Sequence, residues 1–588
     1  MGSTRPTGCR KGVMQVARKT IFIEPVTRIE GHLGVRVDVD VDERKVVDAH
    51  STGVMFRGFE TILEGRDPPD AIWIVQRICG VCPTPHAIAS AEALDMALKV
   101  SPPPLAVLLR NLADAFEIVY DHTLHWFQLA GPDYSEAIVK ERYPSWHEKA
   151  AGFKTEHADA HGFSTVGEIM SSMVSLQGGL WLESINHQRT AKECLTMVAG
   201  KYPHLATVVP GGITYTPTLG RVQELIFKFL ELVPWVKRLV YIAEDMLRFI
   251  EDVGYEKVGQ RPINLIAFGA ADDPEAYDAR YENMDEWGVA REVTPGVVID
   301  GKLVTNKLTD IHLGIQESIS HSFYEEWDGG EIAEDPLGNR VPPGHPWNKE
   351  TMPQPAEVDW SDRYSWVTSP RWAYKDRSHV VEAGPLARMW TTAASRKVEG
   401  STGHSLKFGL PKTNVVGLPP ALNDEMELEW QIPKSVNVVE RLRARIYYLA
   451  YLAHSAFNGL LEVLGYVKEG KTAVFKEFER PDWSLGVGFT EAGRGALGHW
   501  IVVKDRKIHR YQVITPSNIN ASPRDGDGRM GPYEEALMGT PIMEEGSPDS
   551  WDGVDIMRII RSMDPCLACG VTMYIGDRRL EKVTDHFH

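Results

Sequence analysis

The placement of the cysteines is the tightest constraint on how this 588-residue chain can fold. Four of its six cysteines form two CxxC pairs, Arg77-Ile78-Cys79-Gly80-Val81-Cys82 and Asp564-Pro565-Cys566-Leu567-Ala568-Cys569. Thiolates two residues apart can grip one soft metal, and four thiolates close a first coordination shell. If the pairs meet, the fold must join segments 487 residues apart. Zinc ribbons keep their pairs within tens of residues. Spacing alone therefore divides evenly between one shared metal site and two unrelated pairs. The remaining Cys9 and Cys194 are too few for the Cys₄ set of an iron–sulfur cluster or for a disulfide framework.

Bulk properties exclude several classes. A net charge of −18 with no dense Lys/Arg stripe lacks the footprint of a nucleic-acid binder. No run of about 18 apolar residues predicts a membrane span, and the basic, polar segment Met1 to Arg18 has no apolar secretory core. These features point to a reducing, cytoplasmic compartment, with any export signal or membrane contact supplied by a partner. At 43% hydrophobic the chain can bury a large core.

Thr20 to Ser51 alternates Val35, Val37 and Val39 with polar residues around a turn at 42–45, which predicts a β-hairpin within an N-terminal region 1–60. Pro83 and Pro85 open a helix over 87–100, and Pro104 to Gln128 reads as a long helix. Further helical patterns cover 166–200, 219–251 and 436–465. The stretch 325–375, rich in Pro, Gly, Trp and Asp, reads as an irregular insertion, and 500–514 as a hairpin turning near Asp505-Arg506. With no repeat and no clear linker, the expectation is one domain over 1–588. Its class is α+β and predominantly helical, a large helical bundle with small β-elements near both termini. His157 and His161 are spaced HxxxH but lack the zincin Glu, so they read as a surface helix pair.

The flanks decide between the two readings of the cysteines. Arg77-Ile78-Cys79-Gly80-Val81-Cys82 with Pro83 and His86, and Asp564-Pro565-Cys566-Leu567-Ala568-Cys569, resemble the two cysteine motifs of the large subunit of nickel–iron hydrogenases. Arg28-Ile29-Glu30-Gly31-His32-Leu33, Arg57-Gly58-Phe59-Glu60, Asp121-His122, Arg494-Gly495-Ala496-Leu497-Gly498-His499-Trp500 and Asn520-Ala521-Ser522-Pro523-Arg524-Asp525 follow in family order. The variants are similar to the oxygen-tolerant, actinobacterial-type branch.

The resemblance implies the large-subunit fold and a Ni–Fe(CN)₂CO centre that interconverts H₂ with protons and electrons. It implies that Cys79 and Cys566 bind nickel terminally while Cys82 and Cys569 bridge to iron. Arg494 would stand over the open metal position, held by Asp121 and Asp564. Glu30 would relay protons from the Cys566 thiolate, Glu60 would hold magnesium, Ser517 would bond a cyanide, and His86 would lie beside the centre. It further implies H₂ uptake, an iron–sulfur small subunit as partner, maturation proteins with an endopeptidase, and a higher oligomer of heterodimers. The usual magnesium-binding His three residues after the last cysteine is Thr572 here, and an unusual tail, 570–588, follows. His586 or His588 is the expected substitute ligand, with His588 also marking a shifted trimming point. The rival readings are a non-catalytic relative within a quinone-reductase complex and a zinc-stabilised scaffold. Retention of all four cysteines opposes the first; neither Arg494 nor Glu30 has a reason to exist in the second.

Overall fold

In a computed structural model, residues 17–567 are described. The expected N-terminal hairpin is β2 (Leu33–Asp40) against β3 (Lys45–Gly53), and β1 (Arg18–Ile23) adds an antiparallel edge strand. Val35, Val37 and Val39 point into the core, as the period of two requires.

The body is helical. α1 (Pro83–Ala97) starts immediately after Cys82, with proline in its first turn where no backbone donor is lost. α2 (Pro104–Leu124) runs on into a wider turn at His125–Leu129. The pattern over 166–200 is interrupted: a short helix, Val166–Ser172, precedes α3 (Gly179–Ala199). A side chain at Gly178 would strike the Ser172 carbonyl at 2.1 Å, so the chain turns sharply there. The pattern over 219–251 likewise divides into α4 (Leu219–Leu230) and α5 (Val233–Asp252). Pro234 forces that break, since proline cannot continue a preceding helix but suits a first turn.

Strands are spread more widely than the termini. Glu382–Ala383, Leu265–Ala267, Gly296–Ile299 and Lys302–Thr305 build a four-stranded sheet in mid-chain, and two smaller sheets lie between 315 and 431. The strands of the four-stranded sheet are too short for a period of two to show, whereas Met426–Gln431 alternates buried and exposed residues along its whole length. The stretch 325–368 is irregular apart from one tight turn at Pro346–Asn348, yet it buries Trp347, Tyr364 and Trp366.

α6 (Pro385–Ser395) and α7 (Val438–Lys468) complete the bundle; Asn437 caps α7 by accepting the Glu440 N–H at 3.0 Å. α2 packs between α3 and α7. The C-terminal sheet is β4 (Trp483–Ala492), β5 (Gly495–Lys504) and β6 (Lys507–Ile514), with Asp505 and Arg506 both at positive φ in the two-residue turn. α1 lies on β4 at backbone contact. Cβ atoms at Gly486 and Gly488 would meet the Ala93 and Ala89 carbonyls at 2.1 and 2.0 Å. This close approach brings the first cysteine pair beside the loop that carries Arg494. α8 (Val554–Ser562) then delivers the second pair to the same point.

Candidate metal centre

Cys79 follows a tight turn, Gln76–Ile78, and Cys82 caps α1, its N–H donating to Cys79 Sγ at 3.1 Å. Cys566 arrives from the far end of the chain. Its sulfur lies 3.2 Å from Cys79 Sγ and 3.7 Å from Cys82 Sγ, and Cys79 and Cys82 are 2.8 Å apart. All three separations exceed the roughly 2.05 Å of a disulfide. The longer ones approach the about 3.8 Å expected between thiolates on a tetrahedral metal with bonds of about 2.3 Å. Among the described residues, these three are the group of His, Cys, Asp or Glu whose ligand atoms all lie within 4.8 Å of one another. Cys569, Thr572, His586 and His588 lie outside the described residues.

The second cysteine segment is pinned by Glu30. The Glu30 N–H donates to Pro565 O at 3.2 Å and the Leu567 N–H returns to Glu30 O at 2.7 Å, a short parallel bridge between the two ends of the chain. Arg561 of α8 reinforces it by donating to Thr27 O and by pairing with Asp133 at 2.8 and 2.7 Å. Asp133 also takes Arg28. The Cys566 N–H donates to Ser517 Oγ at 2.8 Å, which leaves the Ser517 hydroxyl hydrogen still available to donate.

Arg494 is fully buried and lies within electrostatic reach of the Cys566 and Cys82 thiols. Its Nη1 donates to Asp121 Oδ1 at 2.7 Å and its Nε lies 3.2 Å from Asp564 Oδ2. Gly493 permits this, because a Cβ there would stand 2.2 Å from Asp121 Oδ2. Burial opposes the guanidinium charge, but Asp121, Asp564 and the thiols of Cys566 and Cys82 hold it well above its usual value. Arg494 Nη2 has no hydrogen-bond acceptor among the described residues.

Sequence reasoning missed a second guanidinium. Arg445 of α7 donates to the same Asp564 oxygen at 2.9 Å and to Gly493 O at 3.2 Å. Burial lowers it to about 10. Arg388 of α6 reaches Gly493 O at 3.1 Å and His122 Nε2 at 3.0 Å. An Arg inside a helical pattern carries no signal that it points at a loop hundreds of residues away. The Asp121-His122 face, with His125, is buried rather than solvated.

Glu30 is partly buried. Burial first, and then the Cys79 thiol, raise its carboxyl, while Arg494 and Arg57 oppose. His86 is buried, with Nδ1 3.1 Å from His499 Nε2; His499 Nδ1 meets Tyr511 Oη at 2.8 Å, which donates to Ser90 Oγ at 2.8 Å. Burial lowers His86 to about 4. Glu60 lies in the first turn of a short helix, Phe59–Leu63; burial raises its carboxyl, against Lys349, which itself pairs with Glu317 at 2.8 Å. The expectation of a surface His157/His161 pair is overturned. His161 is buried and His157 half-buried, and both rings close on Asp245 Oδ2, at 3.0 and 3.2 Å, so α5 holds the pair.

A soft, redox-active metal suits this donor set: buried sulfurs, a fixed cation with an unused donor, and paired carboxylates behind it. Comparison with known proteins gives the arrangement its context. The profile of the family described as Nickel-dependent hydrogenase matches residues 57–179 and 176–572, and a HoxL-like profile matches 20–52. The chain is 33% identical to the periplasmic [NiFeSe] hydrogenase large subunit of Desulfomicrobium baculatum, covering 96% of this chain and 97% of that one. It is 30% identical to the hydrogenase-1 large chain of Escherichia coli, covering 97% of each. The solved actinobacterial-type NiFe-hydrogenase from Ralstonia eutropha H16 superposes with a TM-score of 0.91 at 39% identity, over 94% of this chain and 100% of that one.

Proposed function

This chain belongs to the nickel-dependent hydrogenase family, and from that premise we propose how its residues divide the work of H₂ oxidation. When bound, a Ni–Fe(CN)₂CO group would supply the low-valent metal chemistry for H₂ cleavage. Cys79, Cys82 and Cys566, with Cys569, would hold that group. Arg494 presents a fixed positive charge over the thiols, where it stabilises the charge separation of heterolysis. Asp121 and Asp564 fix its direction and keep it cationic. Glu30, placed against the cysteine segment and with a raised proton affinity, accepts the released proton and passes it on. Ser517 and His86 orient the surrounding shell, and Glu60 is the protein's oxygen donor to a magnesium ion.

The observation that carries this division is the Arg494 guanidinium, braced between Asp121 and Asp564 beside three converging thiols. The two electrons leave through an iron–sulfur small subunit. Maturation proteins load the metals, and heterodimers assemble into a higher oligomer. No helix among the described residues is long and apolar enough to cross a membrane; the chain acts in the cytoplasm, reaching membranes through its partners. The branch is the oxygen-tolerant, actinobacterial type.

Infrared spectra of the purified protein test the assignment. CO and CN stretching bands, with nickel and iron by elemental analysis, are expected. Zinc alone with a blank infrared window would discard it in favour of a scaffold.

A further inference from the structure

A file of buried proton-bearing groups runs along α2 away from the thiols. Asp114, Glu117 and Asp121 recur at i, i+3 and i+7, so their side chains share one helix face with steps of about 5–6 Å. Their exposures are only 5%, 1% and 0%. The inner end touches the first metal motif: Glu117 Oε2 accepts the N–H of Thr84, two residues beyond Cys82, at 3.1 Å. Glu117 Oε1, Asp114 Oδ1, Glu491 Oε2 and Tyr448 Oη are all buried without a hydrogen-bond partner among the described residues. An unsatisfied buried polar atom costs about 1–3 kcal/mol. Four in one neighbourhood mark a place that ordered water serves rather than a packed core.

The surroundings suit proton traffic. From β4, Glu491 accepts the Phe268 N–H on Oε1 at 2.6 Å. From α6, Arg388 Nη1 lies 3.6 Å from Glu491 Oε2, and its guanidinium carbon lies 3.7 Å from the centre of the Tyr448 ring on α7. Burial raises Asp114 and Glu491 to about 7 even against Arg388, with Arg291 also opposing at Glu491. Burial, with Asp114 and Asp121 nearby, puts Glu117 well above its ordinary value. Groups poised near neutrality give and take protons readily. Asp114, Glu491 and Glu292 all act electrostatically on Tyr448. Glu292, bonded to Ser455, forms part of the wall of a surface cleft of about 190 Å³ that Asn111, Asp272, Asp273 and Glu462 also line.

We propose that Glu117, Asp114, Glu491 and Tyr448, bridged by water, conduct protons between the thiol site and the cleft at Glu292, along a route separate from Glu30. Each hop moves one proton from an O–H to an acceptor oxygen and no electrons, which leave by the metal side. The route rests on the hydrogenase reading above.

The test uses the holoenzyme with its small subunit. Glu117→Gln and Asp114→Asn are each expected to slow isotope exchange between H₂ and D₂O by about twofold while Glu30 still conducts, with CO and CN bands and nickel content unchanged. Each also deletes a protonated-carboxyl C=O band from the infrared spectrum, a readout independent of turnover. If either variant fails to fold, Glu491→Gln reads the same step. A wild-type protein without nickel or exchange defeats the hydrogenase reading itself. A wild type that exchanges beside variants that exchange equally fast, or that keep every carboxyl band, defeats the route alone.

Discussion

Arg494 and Arg558 are both fully buried guanidiniums held well above their usual proton affinity, and they are compensated in opposite ways. Arg558, on α8, is caged by rings: its guanidinium carbon lies 4.4 Å from the centre of Tyr134, 4.3 Å from Tyr143, 5.2 Å from Tyr255 and 5.4 Å from Trp146. The hydroxyls of Tyr143 and Tyr255 both donate to Asp555 Oδ1, so the cage is tied to the same helix. Its charge is met mainly by diffuse π density from four rings, with one hydrogen bond from Nη2 to the Asp133 carbonyl at 2.5 Å. Arg494 is met by two localised carboxylates, and the thiols of Cys566 and Cys82 also act on it, so its field has an axis. Burial and charge are therefore not a signature of catalysis; the geometry of compensation is.

The comparison breaks most sharply at Arg494. Arg494→Lys keeps the charge but loses the planar fork that spans Asp121 and Asp564. H₂ turnover is expected to fall by about 10²–10³-fold, with nickel content and melting temperature unchanged. Unchanged turnover would remove the axis from the mechanism.

A buried pair with a purely mechanical task should show the reverse pattern. Arg561→Met leaves Asp133 with Arg28 alone and frees the Thr27 carbonyl. Urea unfolding should register a loss of about 3–5 kcal/mol, and nickel should be lost in proportion because the Glu30 bridge loosens. Arg558→Met tests the cage itself. A loss of about 2 kcal/mol is expected, while turnover per bound nickel stays at the wild-type level; a fall in that ratio would mean the cage transmits more than stability.

The smallest effect concerns a buried acid that lacks full compensation. Glu534 accepts from the Ser51 N–H and the Tyr364 hydroxyl, yet burial still raises it from 4.5 to about 7. The folded state therefore holds this proton more tightly than the unfolded chain. Its contribution is fully present below about pH 4.5 and is lost as pH rises to about 7. Glu534→Gln should flatten the fall in urea midpoint across that window, and a slope identical to wild type would show that Glu534 is charged throughout.

Local chemistry was legible in the sequence where it sits in contiguous residues. Asp505-Arg506 announces its turn, Pro83 announces α1, and the alternation of Val35, Val37 and Val39 announces a strand. Glu30, Cys79, Arg494 and Cys566 were each found through their immediate neighbours, and the structure gathers them in one place. What stayed hidden depends on contacts across the fold. Arg445 is one of many polar residues in a 31-residue helix, and only the approach of α7 to Gly493 and Asp564 distinguishes it. His157 and His161 look solvated until α5 supplies Asp245. Apolar periodicity continues across the breaks at Gly178 and Pro234 while the backbone cannot, so the sequence reads each pair of helices as one.

The bridge from Glu30 to Pro565 and Leu567 also sets a timetable. A ribosome adding about 5–20 residues per second needs roughly 25 to 100 seconds to travel the 487 residues from Cys79 to Cys566. Throughout that interval the first pair exists without the second, and no closed thiolate pocket can form. Metal delivered early must be guarded by something other than this chain, and metal delivered late must enter before the last strand-like contact shuts. The Glu30 bridge can close only after Pro565 and Leu567 have been made, which makes it a natural point of quality control over what the pocket contains.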